Sequence, residues 1–382
     1  MRYLYSLIEK DLKKKMVFLA GPRQVGKTTL AERIMKGFNQ PTYLNWDNPE
    51  HRRTIQKGLW AQNTDLLVFD ELHKKKNWKS WVKGIYDVEK RDRRILVTGS
   101  ARLDVYRRGG DSLQGRYHHW RLHPFTLDEN PRHRCDKKTL ETLLEFGGFP
   151  EPFLSRDKVE AARWRRDRYE RLIKEDVRDL EHVKDVQTLS LFNDLIRERV
   201  GSPVAVSNLA QDLEISPLTA KHWLSVMEAM YHNFVLRPFS DKIARSSLKQ
   251  PKVYLYDTGE VQGDAAKAEN LVACHLLKRV QFLQDAFGER VELQFIRDKD
   301  GNEVDFAIIR NRKVIELYEV KLSDDTIAPS LIKYQKMLQP QNAFQVVFNL
   351  DKPYERGGIK VLSPIELFQS PPWEKRLPDR AG

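Results

Sequence analysis

The chain has little cysteine: only Cys135 and Cys274 occur in 382 residues. They stand far apart and without metal-ligand spacing, which excludes a disulfide framework or a thiolate zinc site and leaves two expected buried thiols. No apolar run approaches the ~20 residues that a membrane-spanning helix needs, so no membrane partner is expected. The start, Met1-Arg-Tyr-Leu-Tyr-Ser, lacks the basic, apolar and cleavage-site pattern of a secretory leader, and the expected location is the cytoplasm. There is no internal repeat and no long low-complexity linker. Negative charge is the minority: 54 Asp and Glu against 66 Lys and Arg leave a net charge of +12 and a pI near 9.4. This balance favours a polyanionic partner, and DNA is the expected one. The length suits two or three domains with cores of their own.

What is present is led by Gly21-Pro-Arg-Gln-Val-Gly-Lys-Thr28, a complete GxxxxGK[ST] phosphate loop. It follows the apolar run Met16-Val-Phe-Leu-Ala20, read as a buried strand, and precedes a helix-forming segment from Thr28. Backbone groups over Gly21, Gln24, Val25, Gly26 and Thr29 are placed to cradle the phosphates of ATP. Lys27 would reach the β and γ oxygens, and the Thr28 hydroxyl would bind Mg²⁺. A second apolar strand, Asp65-Leu-Leu-Val-Phe-Asp70-Glu71, ends in an acidic pair. Asp70 is expected in the Mg²⁺ shell and Glu71 beside the attacking water. A third strand, Ile95-Leu-Val-Thr-Gly-Ser100, offers Ser100, or less readily Thr98, as a γ-phosphate sensor. Hydrolysis also calls for positive charge on the transferring phosphoryl group. Arg116 is the candidate, acting within one subunit or across the interface of a homo-oligomer.

The turn cluster Gly147-Gly-Phe-Pro-Glu-Pro152 is expected to close this first domain at residue 152. Beyond it, the segment from Ala161 reads as a helix carrying five arginines, either touching a phosphate backbone or solvated by salt bridges. Residues 153–250 then read as a helical linker and a helix-turn-helix. Ser207 caps one short helix, Glu214-Ile-Ser216 turns, and Ser216 with Pro217 opens the next. Leu218, Trp223, Leu224 and Met227 are expected to pack on Leu209, Ala210 and Leu213, and Phe234 to begin a wing. Thr219, Lys221, His222 and Ser225 would face a major groove; the same module also suits protein docking.

Residues 251–382 carry a third pattern. Strands are expected over Val291–Arg297, 303–309 and 314–322. Glu319 and Lys321 are two apart on the last strand, so they share a face, and Asp305 comes from the strand before. One Asp, then Glu-x-Lys on the adjoining strand, suits metal-dependent phosphodiester hydrolysis with Mg²⁺ or Mn²⁺. A three-residue loop, Asn311 to Lys313, is expected because it sets Asp305 opposite Glu319, whereas a two-residue loop would put them on opposite faces. Glu269, on a preceding helix, is a further candidate ligand, Glu303 a weaker one, and Gln335 a residue that could orient the site.

Across nearly its whole length the chain resembles the prokaryotic, archaeal-ATPase-like AAA-type ATPases with a C-terminal domain of unknown function. The resemblance rests on Gly-Pro-Arg-Gln-Val-Gly-Lys-Thr-Thr, Val-Phe-Asp-Glu-Leu-His, Thr-Gly-Ser-Ala-Arg, Gly-Gly-Phe-Pro-Glu-Pro, Val-Tyr-Leu-Tyr-Asp-Thr-Gly, Glu-Asn-Leu-Val and Glu-Val-Asp-Phe…Glu-Val-Lys. It implies an α/β architecture: a P-loop AAA-type ATPase domain, a central winged helix, and a C-terminal restriction-endonuclease-like fold of the PD-(D/E)XK type. Lys27, Thr28, Asp70 and Glu71 match its nucleotide motifs, and Asp305, Glu319 and Lys321 its nuclease motif, with Val304 where the motif's name has proline. Two functions follow as expectations: a DNA-interacting ATPase whose C-terminal domain cleaves DNA, or an ATP-driven switch or adaptor whose nuclease-like domain only docks. A superfamily 2 helicase is excluded, because no second RecA-like core follows residue 150.

Overall fold

The computed structural model describes residues 2–90, 92–99, 113, 115–130, 134–172, 186–240 and 250–369. The chain divides into two compact units, Met1–Pro124 with Ala229–Tyr231, and Phe125–Glu228 with His232–Gly382. No helix among the described residues is long and apolar enough to cross a membrane.

Among the described residues of the first unit, five short runs form strands β1 (Met16–Ala20), β2 (Pro41–Asn45), β3 (Leu66–Asp70), β4 (Arg94–Thr98) and β5 (Tyr117–Arg121). They pair in the order β2-β3-β4-β1-β5, all parallel. β1 and β3 are buried along their whole length, as strands covered on both faces must be. Alternate residues Met16, Phe18, Leu67 and Phe69 pack with Trp78 and Val82 of the helix Trp78–Glu89. Parallel pairing has one functional result. All five strands end at the same edge, so the loop after β1 and the last residues of β3 and β4 share it.

The second unit begins where no turn signal announces it. Lys278, buried on the long helix Asp264–Phe287, donates to Thr126 Oγ1 at 2.6 Å, Asp128 at 2.9 Å and Glu129 at 3.2 Å. The Leu127 N–H donates to His275 Nε2 at 2.9 Å on the same helix. These pairings hold residues 125–130 in the second unit. The expected boundary at 152 falls in the short helix Pro150–Ser155 inside that unit, and the expected segments 153–250, apart from Ala229–Tyr231, and 251–382 lie within it, each with its own apolar cluster.

Helices Val186–Arg197, Val206–Asp212 and Pro217–Ala229 enclose Phe192, Leu209, Trp223 and Met227. The two expected short helices form on either side of a turn, with Ser216 Oγ accepting from Thr219 N at 3.0 Å and Pro217 first in its helix. Two details differ from expectation. The preceding helix starts at Val206 behind Ala205, and the Ser207 hydroxyl bonds Asn208 Oδ1 instead of capping. Leu218 is 77% exposed, because Ala220, Trp223, Leu224 and Met227 take the inner face. Strands β6 (Asn233–Leu236) and β7 (Lys252–Leu255) follow as an antiparallel pair.

The last segment builds β8 (Val291–Arg297), β9 (Glu303–Arg310), β10 (Lys313–Lys321), β11 (Asn342–Val347), β12 (Tyr354–Arg356) and β13 (Ile359–Leu362), ordered β12-β13-β11-β10-β9-β8. Leu317 of β10 packs with Leu331 and Tyr334 of the helix Pro329–Leu338. Its neighbours Glu316 and Tyr318 point to the other face, where Arg279 of the long helix donates to both, at 2.7 and 2.9 Å.

Candidate functional site

The phosphate loop owes its path to glycine. Gly21 sits at φ +147° against the Leu122 carbonyl, where a Cβ would collide with backbone, and Gly26 at φ +95° opens the helix Lys27–Met35. Gln24 is exposed at the tip with φ +61°, Val25 is buried, and Thr29 is exposed on the first helical turn. Lys27 is buried and curled onto the loop, its ammonium donating to the carbonyls of Gly21 at 3.0 Å and Pro22 at 2.6 Å. That is where a phosphate oxygen would compete for it.

Asp70 is the pivot of this site. Its Oδ2 accepts from the Thr28 hydroxyl at 2.9 Å and from the Tyr43 hydroxyl at 2.6 Å. Its Oδ1 accepts from the Thr98 hydroxyl and from the Glu71 N–H at 3.1 Å. The register that sets Thr98 beside Asp70 follows from β4 lying between β1 and β3. Burial, together with the Asp70 carboxylate, raises the Tyr43 phenol above its ordinary range. Glu71 adopts a left-handed conformation at φ +54°, a strained turn of the kind found at functional sites, and its N–H also donates to the Thr98 carbonyl at 3.0 Å. Burial pushes the Glu71 carboxyl up, opposed by Lys27. Its Oε2 is buried without a hydrogen bond, with His73 Nε2 at 3.5 Å.

A hydroxyl and a carboxylate together at a helix N-terminus are oxygen donors of the kind Mg²⁺ takes, so Thr28 and Asp70 fit that ion. Thr98 faces Asp70 and serves it directly; Ser100 lies outside the described residues. Arg116 is not brought to the site. It precedes β5, at the opposite edge of the sheet from the loop, and its guanidinium holds Asp87 at 2.9 and 3.3 Å. A role in the same subunit is thereby disfavoured. Tyr43 went unread in the sequence, since nothing local marks β2 as the neighbour of β3.

The second cluster gathers at one end of β9 and β10. The loop between them has two residues, Asn311 and Arg312, both at positive φ, not the three expected. A bulge makes up the difference: Val314 pairs with Ile309 and Glu316 with Ile308, leaving Ile315 extra. Carrying the register one step past Tyr318↔Phe306 sets Glu319 opposite Asp305, as expected but through another device. Lys321 Nζ donates to Glu319 Oε1 at 2.7 Å, and Asp305 Oδ2 accepts from the Val320 N–H at 2.8 Å. Glu269 does reach the cluster, but its Oε1 accepts from the Tyr254 hydroxyl at 2.7 Å and from Lys252 Nζ at 3.1 Å. Glu303 also joins, 2.5 Å from Lys252 Nζ and 2.7 Å from Arg297. Gln335 does not: it donates to the Gly357 carbonyl at 2.8 Å.

The expected divalent metal fits this set poorly. Lys252, 2% exposed, places its ammonium among Glu269, Glu303 and Asp305. Among the described residues no three acidic, His or Cys side chains are arranged to hold a metal ion. Burial raises the carboxyls of Glu269 and Glu319, and Asp305 raises both further; Asp305 is itself raised by burial. Only Glu319 Oε2 is buried there without a hydrogen bond. Cys135 and Cys274 are free and half-buried, not fully buried as expected.

Of the arginine-rich helix Lys158–Arg171, Arg165 holds Asp257 at 2.9 Å and the Phe146 carbonyl. Arg168 lies 3.5 Å from Glu260 and 4.2 Å over the Phe149 ring. Those two are structural, whereas Arg163, Arg166 and Arg171 stay at the surface.

Residues 13–130 match the family described as AAA domain. Residues 137–262 and 265–368 match two families described as domains of unknown function, DUF8612 and DUF4143. Uncharacterized proteins of Mycobacterium bovis and Mycobacterium tuberculosis are each 25% identical over 64% of this chain and 54% of their own. One of Methanocaldococcus jannaschii is 22% identical over 66% of this chain and 64% of its own. The chain thus spans about half the length of the first curated relatives it matches. Among solved structures, a Walker-type ATPase of Pyrococcus abyssi aligns at a TM-score of 0.40 and 13% identity over 66% of this chain and 92% of its own. The Thermotoga maritima RuvB Holliday junction branch migration motor aligns at 0.30 and 17% identity, over 60% and 86%.

Proposed function

We propose, on the premise that the N-terminal region is an AAA-type P-loop ATPase, that the whole chain is an ATP-hydrolysing, DNA-interacting switch whose C-terminal domain docks and does not cut. The observation that carries the ATPase half is the convergence on Asp70 of Thr28 from the loop, Thr98 from β4 and Tyr43 from β2. On ATP binding, Lys27 leaves the Gly21 and Pro22 carbonyls for the phosphates. Thr28 and Asp70 would hold Mg²⁺, which when bound supplies neutralising charge to the phosphoryl oxygens. Glu71, with its raised proton affinity and its place one residue beyond Asp70, orients and polarises the attacking water. Arg116 contributes only if a second copy presents it.

DNA interaction rests on the net charge of +12 and on the helix Pro217–Ala229, where Lys221, His222 and Ser225 are exposed. Docking is favoured over cleavage by the Lys252 ammonium within the carboxylate set. The intact Asp305, Glu319 and Lys321 are what a cleaving reading would cite.

The test is ATP turnover by wild type, Lys27→Ala and Glu71→Gln, with DNA binding followed across a salt series and cleavage assayed with Mg²⁺ or Mn²⁺. Turnover should vanish in both variants and DNA affinity fall steeply with salt. Turnover that survives Lys27→Ala would overturn the ATPase assignment, and a flat salt dependence would remove DNA as the partner. Cleavage lost in Asp305→Ala would reinstate the nuclease.

A further inference from the structure

We infer that the Lys252 ammonium is the resident cation of the C-terminal carboxylate cluster, standing where the Asp305, Glu319 and Lys321 pattern would otherwise call for a divalent metal. The inference deepens the docking reading of this domain and is independent of the ATPase site.

Lys252 is not a surface lysine that happens to lean inward. It opens β7, pairs with Leu236 across the hairpin, and forms a backbone bridge with Pro203. Its side chain is 2% exposed, and its Nζ lies 5.5 Å over the Phe295 ring. From there the ammonium reaches Glu303 Oε1 at 2.5 Å, Glu269 Oε1 at 3.1 Å and Asp305 Oδ1 at 3.7 Å. Buried carboxylates need a counter-charge or a proton, and one cation shared among them meets that need. The ammonium meets it at hydrogen-bond distance from Glu303 and Glu269 and as a longer ion pair with Asp305, whereas Mg²⁺ draws its oxygen ligands in to about 2.1 Å.

Other acceptors of the cluster are committed as well. Asp305 Oδ2 takes the Val320 N–H, Glu319 Oε1 takes Lys321, and Glu269 Oε1 also takes the Tyr254 hydroxyl. Gly201, at φ +77°, lies against the Glu269 carboxylate, so close that a Cβ would come within 3.0 Å of Oε2. Glu319 Oε2 is buried without a hydrogen bond, yet among the described residues no three acidic, His or Cys side chains are arranged to hold a metal ion. A divalent ion would enter only if the ammonium left. This lysine therefore decides whether the cluster is a metal site.

The test uses the full chain without nucleotide and reads Mn²⁺ binding by electron paramagnetic resonance, counting only the part abolished by Asp305→Asn so that the Thr28–Asp70 site does not contribute. Wild type should show no Asp305-dependent Mn²⁺ site, and Lys252→Gln should gain one, with Tm rising on Mn²⁺ addition. A double variant, Lys252→Met with Glu303→Gln, keeps the charge balance and replaces the single variant if that fails to fold. An Asp305-dependent Mn²⁺ site in the wild type would overturn the inference, as would a folded Lys252 variant that gains none. DNA cleavage in a parallel assay reports separately on docking. Asp305-dependent Mn²⁺ binding by the wild type without cleavage sinks only the inference, and Asp305-dependent cleavage by the wild type sinks the docking reading too.

Discussion

Asp70 is held by the hydroxyls of Thr28, of Tyr43 on β2 and of Thr98 on β4 and by the Glu71 N–H, with the Tyr43 hydroxyl at 2.6 Å. Hydrogen bonds to a charged group contribute about 1.5–3 kcal/mol, so losing this one frees the carboxylate to rotate away from Thr28. Tyr43→Phe should lower kcat for ATP turnover about tenfold while leaving nucleotide affinity nearly unchanged, as steady-state kinetics beside a nucleotide-binding titration would show. An unchanged kcat would mean that Thr28 and Thr98 alone position Asp70. The residue scale is also where sequence reading was most uneven. Lys27, Thr28, Asp70 and Glu71 declare themselves by contiguous motifs, whereas Tyr43 and Lys252 act through partners far along the chain.

At the scale of elements, the β9–β10 hairpin shows how one residue decides a site. Its two-residue turn, with Asn311 at φ +50° and Arg312 at φ +67°, is the type that matches strand twist, and alone it would put Asp305 and Glu319 on opposite faces. Ile315 restores the register, and with it the alternation that sends Leu317 to the core and Glu316 to Arg279. Deleting Ile315 should turn every later side chain of β10 to the wrong face and abolish the cooperative unfolding of the second unit in calorimetry. Ile315→Val, which keeps the bulge, should retain that transition with a loss of about 1 kcal/mol. A deletion variant that unfolds like wild type would show that the bulge does not set the register. The strands themselves were legible from apolar runs; the bulge was not, because an extra residue leaves no mark in an alternating pattern.

At the scale of the whole molecule, buried neutral histidines tie stability to pH. His275 Nδ1 donates to the Leu271 carbonyl and its Nε2 accepts from Leu127 N–H, an arrangement that requires the neutral ring. Burial lowers its pKa to about 4, and that of His232 to about 3. The folded pKa lies below the unfolded value of ~6.5, so the unfolded chain takes up protons first. Stability from these rings is complete above pH ~6.5 and is lost as pH falls toward 4. Raised carboxyls such as Glu71 and Asp257 act in the opposite sense, so the variant comparison isolates the histidine. The drop in Tm between pH 7.5 and pH 5 should be smaller in His275→Gln than in wild type. An equal drop would place the acid sensitivity elsewhere.

The sequence by itself determined the phosphate-loop motif, the strand spans around it, the helices Val206–Asp212 and Pro217–Ala229 and the spacing of Asp305, Glu319 and Lys321. Each of these is written in residues a few positions apart, where backbone geometry alone relates side chain to side chain. Only the tertiary structure decided that β4 lies between β1 and β3, bringing Thr98 to Asp70, and that Arg116 stands at the far edge of the sheet from the loop. It likewise decided that Lys252 enters the carboxylate cluster and that residues 125–130 belong with the helix Asp264–Phe287. The reason is common to all four. Strand order and buried ion pairs are settled by which distant segments bury surface and charge together, and that energy has no local period in the chain.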